Sequence, residues 1–521
     1  MLERLRLTRE LDLDHMRVRQ ATKSTKRSPE KLAQLIFAGQ PQGVVEGDGV
    51  EGPFGGAVEG EDDTGRVGAR LDGHLAHGED VGLELGLIEL KPVARDGAPH
   101  QARRTQRQGQ FCRDHAPILP RGSPRRTRSE DNGSVTSFDP AEFLPDALLD
   151  RIRSRAASVD ADNRFPDEDL AELKDAGYLA LLVPSALGGA GLSLAEVSVL
   201  QQRLASAAPA TALAINMHLV WTGVAKVLAD RGIDALRFVQ EGAADGEVFA
   251  FGISEAGNDL VLFGSDTHAV PQPDGGYAFT GTKIFTSLAP VWTQLGLHGL
   301  DTSDPAVPMM VYAFVPRTDS VVTRDDWDTV GMRGTQSRTT ELHGAVAPAN
   351  RVVRRLAPGP QPDPLVFAIF SVFELLLASV YTGTARRALD LSVEAAKKRT
   401  SKRSGAPYSQ DPDIRWRVAE MALAYDGLLP QLQSLSRDVD ELVDHGALWF
   451  AKLSGIKHRA VVAAKQIVDE AMLVAGGSSY FTRNELSRLY RDVLAGMFHP
   501  SDPESAHSTV AAAWLGPLDP A

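Results

Sequence analysis

The 521-residue chain has one cysteine, Cys112, and none beyond it. Disulfides, cysteine nucleophiles and cysteine-ligated metal are therefore excluded from everything C-terminal to that position. It has no Walker loop, no GxGxxG after a strand and no HExxH, so the usual nucleotide-loop and zinc-protease signals are missing. Positive charge is short as well: the formal net charge is −13, which argues against nucleic acid as a partner. No uninterrupted apolar run approaches the roughly 18 residues that would span a membrane. The nearest, Leu365–Val380, is broken by Glu374. A soluble cytoplasmic protein with no membrane partner is expected.

The first 134 residues lack something more basic. They hold three aromatics, Phe37, Phe54 and Phe111, with no Trp or Tyr, and 21 Lys and Arg (17 of them Arg) balance 21 Asp and Glu. The whole −13 thus belongs to the remainder. Apart from Lys31–Ala38 there is no sustained helix or strand period, and such a segment cannot bury enough apolar surface to offset its ordering entropy. It is too acidic for a transit peptide and has no apolar core for a secretory signal. Its Gly/Arg/Asp texture resembles a wrong-frame reading of GC-rich DNA. Val135 is what an unrecognised GTG start would leave, so residues 1–134 are expected to be a disordered or non-native leader.

The remaining 387 residues suffice for a large core and more than one domain. Residues 135–245 read as helical: Pro166 and Asp167 open a helix running to Ala176, and Ser193 with Glu196 forms a capping box. Residues 246–360 read as β. Gly275-Gly276 makes a hairpin turn, Tyr277, Phe279 and Ile284 give strand-forming bulk, and Gly331 and Gly334 bracket Arg333 in a turn before a strand ending at Pro348. Residues 361–521 are helical again, through Leu365–Val380, Ala385–Arg399, Ile414–Val443 and Ala447–Ala475.

Two blocks, Gly275–Ala289 (GGYAFTGTKIFTSLA) and Thr329–Val353 (TVGMRGTQSRTTELHGAVAPANRVV), resemble the middle β-domain of the acyl-CoA dehydrogenase family of flavoproteins. A third, Phe249–Asp259 (FAFGISEAGND), resembles that family's flavin-binding strand and turn, with Ser254 for the usual threonine and Ala256 for the proline. The resemblance runs from about Phe138 to Ser505. It implies an α+β fold of N-terminal helical domain, middle β-domain and C-terminal four-helix bundle. It also implies FAD, an acyl-CoA or related thioester as substrate, and a homodimer or homotetramer, and it names no electron acceptor. On the flavin, the resemblance places Phe251 and Ile253 along the strand and Ser254 at the N1/C2 end, where preorganised donors stabilise developing negative charge. Ser287 falls near N5, Phe285 against the ring and Asn258 near the diphosphate. Across the dimer it implies Gly476 and Gly477, where glycine admits a close backbone approach. The family's Arg-x-x-Phe-Gly element is displaced here, leaving Arg399 or Arg403 to supply its charge.

Dehydrogenation needs a carboxylate base. The family's usual glutamate follows an Arg-Asp pair. Arg491-Asp492 is present, but His499 and Pro500 stand where the glutamate belongs. Some members carry the base on the first long helix of the bundle, and Glu374 sits one position, or about 100° of rotation, from that place. Burial there raises a carboxyl pKa as a general base requires. His499 opens the alternative of a reduced-flavin-dependent monooxygenase. Members of that fold acting on thiophenes or phenols carry a histidine at this offset, where it can serve the reacting flavin or the substrate. Expected catalytic residues are thus Glu374 for dehydrogenation and His499 for oxygenation, with no metal.

Overall fold

The computed structural model describes residues 138–518; the leader and the expected start at Val135 lie outside them. Helices come first: α1 (Pro140–Phe143), α2 (Asp146–Ala161), α3 (Asp167–Asp175), α4 (Leu194–Ala207), α5 (Pro209–Ala229) and α6 (Arg237–Ala244). The capping box forms as the spacing predicts. Ser193 Oγ accepts from the Glu196 N–H, and the Glu196 carboxylate accepts from the Ser193 N–H, which satisfies two orphan donors of α4.

One mixed sheet follows, made of β1 (Phe249–Gly252), β2 (His268–Pro271), β3 (Tyr277–Thr286), β4 (Gln294–Asp301), β5 (Met309–Pro316), β6 (Val321–Thr323), β7 (Arg338–Ala347) and β8 (Val352–Leu356). Its order is β6-β7-β3-β2-β4-β5-β8, with β1 parallel to β4. The β2–β3 hairpin closes around Gly275, whose φ of +86° suits glycine. Beneath it a buried carboxylate organises the β1–β2 connection. Glu255 accepts from Lys283 Nζ at 2.7 Å, from the backbone N–H groups of Asp266 and Thr267, and from Ser265, Thr267 and Asn258 side chains. A buried charge with a paired cation and this many donors is compensated, and the flavin-motif strand is thereby tied to the hairpin.

The chain ends in helices: α7 (Pro364–Lys398), α8 (Pro412–Asp426), α9 (Leu429–Asp440), α10 (Trp449–Ala475), α11 (Glu485–Val493) and α12 (Pro503–Leu515). The stretch expected as continuous over Ile414–Val443 divides at Gly427-Leu428, just before Pro430, which cannot donate within a helix. Helix α7 packs on α4 and α5 on one side and α10 on the other. Although no uninterrupted apolar run is that long, α5 and α7 both reach the length and mean hydropathy of a membrane span. They are 89% and 94% buried over that window, because they are the shared core between the two helical layers.

Candidate functional site

The hydroxyl groups of the β-domain converge at the end of β3. Ser287 is 5% exposed, and its Oγ lies 2.7 Å from Ser337 Oγ. Ser337 donates to Thr335 Oγ1 at 2.8 Å, and Thr335 donates to the Met332 carbonyl at 2.8 Å. Each hydroxyl has one proton. With those two committed, the 2.7 Å contact has Ser287 donating to Ser337, and the lone pairs of Ser287 remain available as acceptors. Four non-glycine residues here hold left-handed backbone: Phe285 (φ 57°), Leu288 (64°), Met332 (53°) and Gln336 (44°). Such strain costs about 1–3 kcal/mol each and clusters at functional sites. The Phe285 ring is 55% exposed and meets Trp327 edge-on. Ser254 is half-buried, and its hydroxyl has no partner among the described residues. Phe251 and Ile253 are buried, Phe251 lying between Trp221 and Phe373.

The Arg-Asp pair seats this loop on the helical domains. Gly331 lies against α11 so closely that a Cβ there would stand 2.1 Å from the Arg491 carbonyl oxygen. Asp492 Oδ1 accepts the Met332 N–H at 2.6 Å. Its Oδ2 has no partner, and burial pushes this carboxyl up to about 6. A cavity of about 10 Å³, room for one water, adjoins Asp492 and Arg488. Arg491 forks onto Asp160 of α2 and donates to the Val330 carbonyl.

The two expected catalytic residues fall in one buried network inside the C-terminal bundle. Glu374 is 1% exposed, and its Oε1 accepts from Ser501 Oγ at 2.6 Å, while Oε2 has no partner. Lys457, also 1% exposed, donates to the carbonyls of Gly496 at 3.1 Å, His499 at 3.0 Å and Ser501 at 3.1 Å. Burial raises the Glu374 pKa and lowers that of Lys457. His499 Nε2 lies 2.8 Å from the Tyr381 hydroxyl, and burial beside Lys457 holds the imidazole neutral, at about 3. Tyr381 follows Glu374 by two turns of α7, on the same face. Phe373 is rotated by one helical position and instead stacks on Phe251 of β1. Helix α7 therefore turns its carboxylate into the bundle and an aromatic toward the β-domain.

The remaining expected residues are committed locally. Asn258 donates to Glu255 and to the Gly264 carbonyl and accepts from the Leu260 N–H. Arg399 donates to the carbonyls of Val474 and Ala475, capping α10, and lies over Tyr408. Gly476 gives way to that arginine, since its Cβ would fall 2.9 Å from Arg399 Nη1. Gly477 faces open space, and Arg403 is exposed.

Sequence reading missed Lys457, Ser501, Tyr381 and the Thr335–Ser337 pair. Lys457 left a signal: it stands on the apolar stripe Leu453–Ile456–Ala460–Val461–Ala464 of α10, where an ionisable residue needs a buried partner. The hydroxyl chain left none, because it depends on β3 and β7 meeting in space. Together, the free Ser254 hydroxyl, the acceptor at Ser287 and the half-exposed Phe285 ring fit one edge and face of a flavin.

Comparison with known proteins identifies the relatives of this fold. The N-terminal domain of acyl-CoA dehydrogenases matches residues 145–237, and the C-terminal domain matches residues 375–501. YdbM of Bacillus subtilis, which carries a provisional acyl-CoA dehydrogenase name, is 29% identical over 70% of this chain and 94% of its own length. Dibenzothiophene monooxygenase of Rhodococcus erythropolis is 27% identical over 73% of this chain and 94% of its own. The crystal structure of KijD3 with FMN and a dTDP-linked amino keto sugar superposes with a TM-score of 0.65 at 26% identity, covering 74% of this chain and 96% of that one. Matched at both helical domains and in the order of all three, the chain belongs to the acyl-CoA dehydrogenase family.

Proposed function

We propose that this flavin-dependent oxidoreductase is an oxygenase that takes up reduced flavin, with Ser287 at the reacting edge and His499 acting from the C-terminal bundle. The observation that carries the reading is the fate of the two places where a base is expected. After Arg491-Asp492 stands His499, held by Tyr381, and Glu374 is turned into the bundle under Ser501. Reduced flavin supplies the two electrons with which dioxygen gives one atom to the substrate and the other to water. Ser287, left as an acceptor by its donation to Ser337, suits an N–H donor, which reduced flavin presents at N5 and oxidised flavin does not. With Nε2 of His499 held by the Tyr381 hydroxyl, its Nδ1 is left to donate to or accept from the substrate.

The names of the relatives suggest a soft heteroatom, sulfur or nitrogen, as the atom oxidised. FMN is preferred over the FAD implied by the family resemblance, because Asn258 and Arg399, expected near the diphosphate, are occupied within the chain. The test is turnover with enzymatically reduced FMN, oxygen, and a sulfide or amine. Oxygenated product is expected from the native protein, and His499→Ala and Ser287→Ala should shift the outcome to hydrogen peroxide while flavin still binds.

One observation favours acyl-CoA dehydrogenation as the second reading. Glu374 Oε2 is unpartnered and its pKa is raised, as a base working near neutral pH requires. Anaerobic bleaching of the bound flavin by an acyl-CoA, abolished in Glu374→Gln, would establish that reading and overturn the first.

A further inference from the structure

A second cavity, about 640 Å³, lies between α2, the turn at Arg333 and the start of α11. Five arginines line it: Arg153, Arg333, Arg483, Arg488 and Arg491. In a chain of net charge −13 that concentration is unusual, and the two acids at its wall offset only part of it. Asp160 is engaged by Arg491. Glu485 is gripped by Arg387 through Nε and Nη2 and also accepts from Arg488 Nη2 at 3.4 Å.

Three of the five arginines keep donors without partners. Arg483 makes no hydrogen bond among the described residues and rests on the Phe481 ring at 4.3 Å. Arg153 pairs with Asp150 through Nη1, yet its Nε is buried and unpartnered. Arg488 is 7% exposed, and its Nε is likewise unpartnered. A buried guanidinium with an unmet donor is costly unless something accepts from it. The N-terminus of α11, with Asn484 as its cap, ends at the same cavity and adds its partial positive charge. Guanidinium forks match phosphate oxygens two at a time, and several forks around one space suit two linked phosphates better than one. Tyr480 and Phe481, exposed beside the rim, offer aromatic faces to whatever the phosphates carry.

We propose that this arginine-lined cavity is a binding site for a diphosphate group. The placement stands whichever reaction the flavin performs. A diphosphate can reach it from a nucleotide-linked substrate or from the dinucleotide half of FAD, and one set of titrations separates the two. Calorimetry on the full-length protein would use inorganic pyrophosphate, dTDP, ADP, FAD and FMN, each at fixed ionic strength. Saturable binding of pyrophosphate is expected, weakened about tenfold or more by Arg483→Glu and by Arg153→Gln, the scale of losing one charged hydrogen bond. Lys397→Glu, an exposed change of the same sign on α7, should leave it unaltered. Competition by FAD but not FMN would assign the group to the cofactor. Tight dTDP or ADP binding that leaves FMN in place would assign it to a separate ligand. Absence of saturable pyrophosphate binding at millimolar concentration would overturn the proposal. So would equal weakening by Lys397→Glu, or displacement by sulfate as readily as by pyrophosphate, which would mark a general ionic surface.

Discussion

Replacing Lys457 with methionine is the most direct probe of the network that holds His499. The side chains are close in volume, so the change removes a charge and three donors without opening a cavity. The carbonyls of Gly496, His499 and Ser501 lose the donor they share, and each orphaned buried acceptor costs about 1–3 kcal/mol. Glu374 escapes most of its own penalty, because burial has already raised its pKa and it can take a proton. The lower end of each range applies, since Phe498 in the same turn is exposed and the turn can relax toward water. The sum is roughly 3–5 kcal/mol, the scale on which removing one member of a buried pair destabilises proteins. At about 2 °C per kcal/mol for a large domain, the melting temperature should fall by roughly 6–10 °C. Thermal unfolding followed by far-ultraviolet circular dichroism at pH 7 measures this. Adding Glu374→Gln to Lys457→Met should cost little more, because the glutamate is by then neutral. A melting temperature within 2 °C of the native protein would refute the reasoning, since Lys457 would then not be fastening the turn.

Two further outcomes follow from buried groups elsewhere. His218 is fully buried, its Nδ1 accepting the Phe249 N–H and its Nε2 2.8 Å from the Leu179 carbonyl, and burial lowers its pKa to about 4. The stability tied to its neutral form is therefore complete above the unfolded value near 6.5 and is lost as pH falls toward 4. A drop of about 2.5 units corresponds to roughly 3 kcal/mol. Urea midpoints measured from pH 7 to pH 4 should fall steeply, and His218→Gln should flatten that slope; an unchanged slope would contradict it. Gly331→Ala must push the Gly331–Gln336 turn away from α11, because its Cβ would meet the Arg491 carbonyl. It should lower stability by about 3 kcal/mol, the upper range for overpacking, and a native urea midpoint would show that the turn is not seated there.

The order of helices, sheet and helices could be read from local signals, because each rests on short-range physics. The Ser193–Glu196 box fixes a helix start, the Gly275 turn fixes a hairpin, and the apolar stretch from Leu365 can only be buried. Family motifs could propose flavin-side positions for the same reason: Ser254, Phe285 and Ser287 lie in short, contiguous stretches. What each side chain does was beyond the sequence wherever its partner lies far along the chain. Asn258 is taken up by its own turn, and Arg399 by the end of α10, 75 residues on. Glu374 reads as a lone acid in an apolar helix, but its role depends on which way one position of rotation turns it. Only the packing of α7 between α4, α5 and α10 decides that, sending Phe373 to the β-domain and Glu374 to Ser501. Local sequence therefore determined the elements and the family motifs, whose signals are periodicity and turn chemistry. Tertiary structure alone decided the hydroxyl chain, the buried Glu374–Ser501 and Lys457 contacts with the turn before α12, and the arginine cavity, because each joins groups from separate elements that meet only when the chain is folded.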